Sequence, residues 1–268
     1  MNSPPLISII TVTLNAAQGF EITARSILEQ NYPAVEWIVV DGGSTDGTLD
    51  LIRSRASHLS LWVSEPDRGL FDAMNKGVAL ATGEWVNFMN AGDTFLTPTT
   101  ISEIFSEGNP ETDVVYGDCV IRYPHLMALK RAGEPSSLLS GMGFCHQSAF
   151  VRTSLLRQYS FDLRYRIGSD YDQFARMFRD KISFGHVRIP VALYDIGGDS
   201  NQKMVQSARE HYRIAMDLFR LTRKEHLHHR FFILKVSILS FVYQNFPEKF
   251  VLWLKNRLIS LTSEPYTP

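Results

Sequence analysis

The sequence lacks several patterns that define other classes of protein. It has only two cysteines, Cys119 and Cys145, which form neither a disulfide framework nor a zinc pattern. We expect both to be core residues in a reducing compartment. No dinucleotide-binding glycine fingerprint follows a strand-like run, and no P-loop motif occurs. The N-terminus has no basic segment followed by a long apolar run, so we expect no signal peptide.

An excess of charge of one sign is also lacking, but the charges are unevenly distributed. The formal net charge is −1, which gives no reason to expect nucleic-acid binding. Residues 203–257 hold 11 Lys and Arg against 4 Asp and Glu, whereas the rest of the chain holds 16 against 24. A basic tail on an acidic body indicates that the tail has its own partner, such as an anionic membrane surface.

The first 90 residues alternate between strand-like and helix-like segments. Runs rich in β-branched residues at Leu6–Thr13, Val35–Val40 and Leu59–Ser64 predict strands, and Phe71–Ala81 predicts a helix. The short apolar run Trp85–Met89 predicts a further, buried strand. This alternation is typical of βαβ units and a parallel sheet. A chain of 268 residues can form one large α/β domain, or a domain with an appendage.

Carboxylates follow two of these strands, at the edge where open α/β sheets bind ligands. Asp93 ends the tight turn Asn90–Asp93 after the Trp85–Met89 run. One carboxylate beside a diphosphate suits Mg²⁺ or Mn²⁺, although Asp93 could instead cap the helix that starts near Pro98. Asp41 ends the second strand and could accept a hydrogen bond from a ribose hydroxyl or a base N–H. It could equally bond its own backbone.

Two candidate residues occur in the second half of the chain. His146 lies within Phe144–Val151, which is predicted to be a strand, and a lone histidine there is more often structural than a ligand. Asp170 and Asp172 precede an amphipathic helix, whose dipole favours negative charge at that end. Either could be a helix cap, and either could take a proton from an attacking hydroxyl.

The last segment differs in composition from the rest of the chain. Phe231–Tyr243 is apolar, but Lys235 interrupts it and it is shorter than the roughly 20 residues that a membrane-spanning helix needs. Pro247 separates it from Phe250–Leu261, which mixes basic, aromatic and apolar residues. This pattern predicts a pair of interfacial helices that contact a membrane surface through residues 230–262. The alternatives are helices packed on the protein's own core or in a dimer.

Five segments together resemble the glycosyltransferase family 2 enzymes of the GT-A fold. In family order they are Ile9–Asn15 (IITVTLN), Glu36–Gly47 (EWIVVDGGSTDG), Ser64–Gly77 (SEPDRGLFDAMNKG), Asn90–Asp93 (NAGD) and Ser169–Asp172 (SDYD). Each segment alone is a weak signal, but the set is specific and covers the chain from residue 6 to about 200. Within the family, the resemblance is to bacterial enzymes that build colanic acid and similar surface polysaccharides.

The resemblance implies a donor pocket for a UDP- or GDP-linked sugar. In it, Asp41 would hold the base or ribose, with Thr13 and Asn15 forming the pocket wall. Asp67 and Arg68 would line the same pocket.

The resemblance also implies the reacting groups. Asp93 would bind a divalent metal, Mg²⁺ or Mn²⁺, on the diphosphate, and Asp170 would be the general base for the acceptor hydroxyl in an inverting displacement. The usual Asp-x-Asp turn appears here as Asn90–Asp93 with one carboxylate, so metal binding could be weaker, or could depend on water or on His146, which would belong to the substrate site. Ser169 replaces the Glu that often precedes the base.

The implied organisation is an α/β GT-A domain with a mostly parallel central sheet flanked by helices. It would cover residues 1–205, with a nucleotide-sugar half at about 1–95 and an acceptor half at about 96–205. A C-terminal helical segment, expected to associate with the membrane, would follow at 206–268. The expected activity is hexosyl transfer to a polyprenyl-diphosphate-linked glycan of a surface polysaccharide, at the cytoplasmic face of the plasma membrane. The alternative is a module of the same fold that binds nucleotide-sugar or glycan without turnover, which the single carboxylate at Asp93 would favour.

Overall fold

The computed structural model describes residues 3–105, 110–123, 126–195 and 203–247, together with 250, 251, 254, 257 and 264–266. The strands are β1 (Ile7–Thr13), β2 (Val35–Asp41), β3 (Leu61–Ser64), β4 (Trp85–Phe88), β5 (Thr94–Phe95), β6 (Val114–Tyr123), β7 (Leu126–Lys130), β8 (Ala149–Arg152), β9 (Phe184–Asp195) and β10 (Glu264–Pro265). The helices are α1 (Ala17–Leu28), α2 (Thr48–Ser54), α3 (Leu70–Leu80), α4 (Thr100–Phe105), α5 (Thr153–Gln158), α6 (Ser169–Arg179), α7 (Met204–Leu218) and α8 (Arg223–Asn245).

The strands form one mixed sheet in the order β10-β7-β6-β8-β4-β1-β2-β3, and β9 pairs with β5 and β6. The predicted parallel arrangement is confirmed for β3, β2, β1 and β4. Beyond β4, the pairings are antiparallel except for β6 with β9. The fold is therefore mixed α/β, with a block of four adjacent parallel strands in the first third of the chain.

The central strands are apolar because both of their faces are covered. All seven residues of β1 are buried, and successive side chains point to opposite faces of the sheet. Ile9 accordingly packs in one hydrophobic core and Ile10 in the other. On the Ile9 side, Phe20 of α1 stacks on Trp37 of β2 with ring centroids 6.1 Å apart. Helix packing on both faces explains why these strands read as continuous β-branched runs rather than alternating ones.

One predicted strand is shorter than expected. Instead of a strand over Phe144–Val151, residues His146–Ser148 form a turn of 3₁₀-helix, and β8 begins at Ala149. Asn87 of β4 holds this turn by donating from Nδ2 to the carbonyl oxygens of Gln147 and Ala149, both at 2.9 Å. This turn, and not a strand, therefore carries His146 at the end of the sheet.

The structure confirms that the two cysteines, Cys119 and Cys145, are buried and not disulfide-bonded. Across the described residues, no helix combines the length and apolar character needed to cross a bilayer. Much of the predicted segment Phe250–Leu261 lies outside the described residues.

The two C-terminal helices pack on the second half of the sheet domain. Ile214 of α7 is buried in the main core, and the Glu210 carboxylate accepts hydrogen bonds from the backbone N–H groups of Ile167 and Gly168, just before α6. In α8, His229 and Val236 are buried. A capping box between Thr222 and Glu225 fixes where α8 begins.

Candidate active site

The turns that follow three parallel strands meet at one edge of the sheet. The N–H of Gly42, after β2, donates to the carbonyl oxygen of Thr13 at the end of β1 (2.9 Å). The N–H of Ala91, after β4, donates to the carbonyl oxygen of Val12 (3.1 Å). The carboxyl edge of the parallel strands therefore carries the segments that the sequence singled out, as expected for a ligand crevice in an α/β sheet.

The Asp41 carboxylate is completely buried and is bonded by its own turn and by Ser64 at the end of β3. Its Oδ2 accepts from the N–H groups of Gly43 (3.2 Å) and Ser44 (3.0 Å) and from the Ser64 hydroxyl (2.6 Å). Its Oδ1 accepts from the Ser44 hydroxyl. Backbone bonding, one of the two alternatives raised for Asp41, is thus observed. A direct contact of Asp41 with a nucleotide stays a prediction.

Replacing Asp41 with Asn is expected to lower the free energy of unfolding by about 2 kcal/mol or more. In the variant, an NH₂ group replaces one carboxylate oxygen and cannot accept the hydrogen bonds that this oxygen accepts in Asp41. Hydrogen bonds to a charged acceptor contribute about 1.5–3 kcal/mol each. Urea unfolding of the variant measures this loss. Asp50→Asn, at an exposed carboxylate on α2, is the matched control, and equal midpoints for the two variants would contradict a structural role for Asp41.

Asn15 and Thr13 also belong to this edge. Asn15 has a positive φ of 47°, a conformation that Asn tolerates better than most residues. Its N–H donates to Ser44 Oγ (2.7 Å), and its Oδ1 accepts from the Thr45 N–H (2.8 Å). The Thr13 hydroxyl is buried and has no hydrogen-bond partner among the described residues. Asn15 therefore braces the β2 turn, and Thr13 leaves an unused polar group beside it.

Asp67 and Arg68 lie on the loop before α3. Asp67 Oδ1 accepts from the Gly69 N–H (2.7 Å), and its other oxygen fills the space that a side chain at Gly42 would need. Asp67 thus lies directly over the glycine turn. Arg68 is largely exposed and donates from Nη2 to Asp72 (2.8 Å). The structure brings Asp67 to the β2 turn, while the guanidinium of Arg68 is held by α3.

The turn that carries Asp93 is fixed from α1. Gly92 has a φ of 105°, in the left-handed region that favours glycine. Its N–H donates to the Thr23 hydroxyl (3.0 Å), which in turn donates to the carbonyl oxygen of Asp93 (2.6 Å). The Gly92 N–H also lies 3.1 Å from the carbonyl oxygen of Gly19. This bracing aims Asp93 at the turn before β8 rather than at α4, so Asp93 is not the cap of that helix.

Asp93, His146 and Asp170 are brought together by the turn before β8. Gln147 Nε2 donates to Asp93 Oδ2 (3.1 Å), and His146 Nδ1 lies 3.3 Å from Asp170 Oδ2. The other ring nitrogen of His146, Nε2, lies 3.4 Å from Asn90 Nδ2. His146 and Asp170 are both largely buried. Neighbouring residues of one turn therefore contact both carboxylates, although Asp93 and Asp170 are far apart in sequence.

The two carboxylates have opposite electrostatic environments. Burial raises the pKa of Asp93 to about 6, against the smaller opposing effects of the His146 charge and the Gln147 bond. Burial would also raise the pKa of Asp170, but the His146 bond and the charges of His146 and His211 outweigh it and lower that pKa. The same pairing raises the pKa of His146 despite its burial. Asp170 is thus kept ionised, as a proton acceptor must be.

Sequence reasoning missed three contributors to this site. They are Gln147, the Asn90 amide and His211 of α7, whose ring packs on Tyr171 with centroids 4.5 Å apart. Burial lowers the pKa of His211, and the nearby charge of Asp170 opposes this effect. Gln147 and Asn90 stand beside predicted residues and could have been included on that ground. Nothing in the local sequence around His211 points to Asp170, because only the packing of α7 on α6 joins them.

The chemistry of the Asp93 turn fits a hard divalent cation. Asn90 Oδ1 is buried without a hydrogen-bond partner in the described structure, and it lies in the same turn as the Asp93 carboxylate. Oxygen donors of this kind suit Mg²⁺ and Mn²⁺. The described part of the chain holds no group of three or more His, Cys, Asp or Glu side chains placed to bind an ion. Phosphate oxygens and water would have to complete the coordination.

Comparison with known proteins identifies the family. The model of the family described as "Glycosyl transferase family 2" matches residues 8–183, which contain all the residues of the predicted site. The chain belongs to glycosyl transferase family 2. It is therefore a transferase enzyme, and the resemblance seen in the sequence is confirmed.

Curated relatives agree with this family membership. A "PGL/p-HBAD biosynthesis glycosyltransferase" of Mycobacterium bovis (strain BCG / Pasteur 1173P2) is 35% identical over 205 residues, covering 74% of this chain and 80% of the relative. The "Putative glycosyltransferase EpsE" of Bacillus subtilis (strain 168) is 28% identical, covering 75% and 76%. Similarity to these relatives thus extends over about three quarters of the chain.

Solved structures share the fold at low identity. The mannosyltransferase PcManGT from Pyrobaculum calidifontis, in complex with GDP-Man and Mn²⁺, aligns with a TM-score of 0.67 and 20% identity, covering 97% of this chain and 81% of that one. S. aureus TarS 1-349 in complex with UDP aligns with a TM-score of 0.63 and 17% identity, covering 91% and 76%. At these identities the comparison establishes the GT-A fold of the family member described here.

Proposed function

We propose that this enzyme transfers a hexosyl group from a UDP- or GDP-linked sugar to a lipid-linked glycan, with inversion at the anomeric carbon. The observation that carries the proposal is the pair of carboxylates, Asp93 and Asp170, on either side of the turn at His146 and Gln147. Asp93 is the residue proposed to serve the diphosphate, and Asp170 is kept ionised by its bond to His146. A single displacement needs both functions, one at the leaving group and one at the nucleophile.

The donor would lie along the edge formed by the turns after β1 and β2. We propose that Thr13, Asn15, Asp41, Asp67 and Arg68 form its nucleotide pocket. Two observations support this assignment. The buried Thr13 hydroxyl has no hydrogen-bond partner among the described residues, and Asp67 lies over Gly42. Solved relatives of the fold were captured with UDP, UDP-GlcNAc or GDP-Man, which supports a nucleotide-sugar donor without selecting one.

The diphosphate end would lie at Asp93. We propose that Asp93 and the Asn90 side-chain oxygen hold Mg²⁺ or Mn²⁺, with His146 beside them in the substrate site. When bound, such a cation neutralises the charge that develops on the leaving diphosphate. Mn²⁺ in the PcManGT complex supports a divalent metal.

Asp170 is the proposed general base. Its carboxylate would take the proton of the acceptor hydroxyl as the hydroxyl oxygen bonds to the anomeric carbon, and the nucleoside diphosphate would leave with the electron pair of the broken bond. The N–H group of Tyr171 and His146 Nδ1 hold the carboxylate in place. Because His146 is itself held by Asn90, the position of the base is linked to the turn that carries Asp93.

The acceptor side rests on the second half of the chain. We propose a transferase domain over residues 1–205, with donor half 1–95 and acceptor half 96–205, and a helical segment over 206–268 packed on the acceptor half. The proposed acceptor is a polyprenyl-diphosphate-linked glycan of a bacterial surface polysaccharide, such as an exopolysaccharide, colanic acid or lipopolysaccharide. The enzyme would then work as a peripheral protein at the cytoplasmic face of the plasma membrane.

A thermal-shift series tests the donor half of the proposal. We expect UDP or GDP to raise the unfolding temperature with Mn²⁺ or Mg²⁺ present, and to raise it less with EDTA, because a ligand that binds only the native state stabilises it. At about 100 times its Kd, a ligand contributes about 2.7 kcal/mol, which is several degrees for a domain of this size. Pyrophosphate with the same metals is the control for binding through phosphate alone.

Turnover separates the enzyme from the alternative of a non-catalytic binding module, which the single carboxylate of the Asp93 turn favours. Nucleotide binding together with release of nucleoside diphosphate from the matching nucleotide-sugar supports catalysis. Binding without transfer or hydrolysis for any nucleotide-sugar in the series would favour the module. No shift with either nucleotide would contradict the proposed enzyme and a nucleotide-sugar-binding module, and would leave a module that binds glycan.

A further inference from the structure

Helix α8 carries apolar side chains on its outer face as well as on its inner one. Five of them, spaced by four, three, four and three residues, form what is called here the outer stripe: Leu227, Phe231, Leu234, Ile238 and Phe241. Their side chains are between 55% and 68% exposed. This spacing places all five on one side of a helix. A continuous exposed stripe of this kind marks an interaction surface rather than scattered surface residues.

The opposite side of α8 is fastened to the protein. His229 is buried, stacks on Tyr212 with centroids 5.0 Å apart, and has its Nε2 3.1 Å from the carbonyl oxygen of Leu139. Val236 is buried two turns further along. The helix is therefore already docked through its inner side, and the outer stripe does not serve the protein's own core.

The charges along α8 identify the kind of partner. The helix has four exposed basic residues, Arg223, Lys224, Arg230 and Lys235, and its one acidic residue is Glu225. The Glu225 carboxylate is engaged at the helix start, where it accepts from the N–H and hydroxyl of Thr222. A second copy of α8 would bring like charges together around an apolar seam. An anionic lipid surface would pair with all four cations and cover the stripe.

We propose that α8 lies in the surface of an anionic phospholipid bilayer, with the outer stripe inserted among the acyl chains and Arg230 and Lys235 at the headgroups. Apolar burial and attraction to anionic lipid are the two forces that hold such interfacial helices. Each basic residue near an anionic surface strengthens binding by about 5-fold. The membrane contact predicted for residues 230–262 would thus be made through the outer stripe, which begins three residues earlier, at Leu227.

The placement of α8 connects this surface to the proposed base. His229 contacts the Leu139 carbonyl, and the preceding carbonyl, of Leu138, accepts a 2.6 Å bond from the Tyr171 hydroxyl. Tyr171 is the neighbour of Asp170. Membrane binding would therefore hold the acceptor side of the site near the lipid surface. This consequence rests on the proposed function, whereas the membrane binding itself does not.

Vesicle co-sedimentation of the full chain tests the proposal. Wild-type protein is expected to sediment with vesicles of phosphatidylcholine containing about one third phosphatidylglycerol, and much less with phosphatidylcholine alone. The triple variant Phe231→Ser, Leu234→Ser, Ile238→Ser should bind at least ~10-fold more weakly. Arg230→Gln with Lys235→Gln should lose ~10-fold or more on anionic vesicles only.

A matched variant controls for loss of exposed apolar surface elsewhere. Ile22→Ser with Leu28→Ser alters two exposed apolar residues of α1 and should bind vesicles like wild type. Wild-type protein that stays in the supernatant, or stripe variants that bind as well as wild type, would overturn the proposal. So would a dimer in sedimentation velocity that the triple variant dissociates, since the stripe would then be covered by a second copy.

Failure of this proposal is distinguishable from failure of the proposed function. UDP and GDP binding is measured on the same variants without vesicles. Vesicle binding without nucleotide binding would support the membrane-binding role of α8 and contradict the proposed donor site. Nucleotide binding without vesicle binding would do the opposite.

Discussion

Replacing Asp170 with Asn is expected to reduce sugar transfer by about 10²–10⁴-fold, the usual contribution of general acid–base catalysis. Asn can occupy the same space and keep the hydrogen bond from the Tyr171 N–H, but it cannot accept the acceptor's proton. Nucleotide affinity should be unchanged, because the proposed donor contacts lie at the other turns of the sheet edge. Initial rates with the matching nucleotide-sugar and calorimetry with UDP or GDP measure the two quantities separately.

The control for Asp170 is Asp217→Asn, which removes an exposed carboxylate from α7 without touching the site. It should leave transfer unchanged. If Asp170→Asn transfers sugar at the wild-type rate, another group is the base. If it loses nucleotide affinity as well as rate, Asp170 supports the fold of the site rather than the proton transfer.

Replacing Asp93 with Asn is expected to abolish the effect of Mn²⁺ on nucleotide binding and, at the same time, to stabilise the metal-free protein. Burial raises the Asp93 pKa to about 6 in the folded state, from 3.8 when the group is free. The folded protein therefore holds a proton that the unfolded chain releases, and its stability falls as pH rises from about 4 to about 6. Above pH ~6 the Asp93 carboxylate is ionised in the folded protein, and its desolvation lowers the free energy of unfolding by the full amount. Asn carries no charge and so does not lower it.

The expected gain is about 1–2 kcal/mol near neutral pH, since one pKa unit corresponds to about 1.4 kcal/mol and partial exposure of Asp93 screens part of the shift. Thermal unfolding in EDTA should show the gain at pH ~7.5, and it should disappear near pH ~4. Asp50→Asn, at an exposed site, should show neither change. A destabilised Asp93→Asn protein at neutral pH, or one that keeps its Mn²⁺ effect, would contradict the assignment.

These two variants separate the two sides of the reaction. Asp170→Asn should affect the nucleophile and spare the donor, whereas Asp93→Asn should affect the donor's diphosphate and spare the proton acceptor. His146 contacts one of them directly, and its neighbour Gln147 contacts the other. For this reason a substitution of His146 would disturb both, and it is a less informative test.

The sequence was sufficient where short-range pattern determines structure. The β-branched runs of β1 and β2 predict parallel strands, because only strands covered on both faces stay apolar throughout. The glycine turns after β2 and β4 predict where Asp41 and Asp93 lie, since the side chain after a parallel strand must reach the same sheet edge as its neighbours. The amphipathic pattern after Asp170 predicts that it lies at a helix N-terminus together with Asp172, and the family resemblance singled out Asp170 of the two as the base.

Tertiary structure decided what each of these groups can do. Asp41 ends β2 and Asp93 follows β4, yet Asp41 is bonded by its own turn and by Ser64 of β3, while Asp93 meets Gln147 from 54 residues away. The ionisation of Asp170 depends on His146 and on His211 of α7, brought there by helix packing. Local sequence sets backbone conformation and burial pattern, but a pKa depends on charges and solvent within a few ångströms, and these come from segments that only the folded chain brings together.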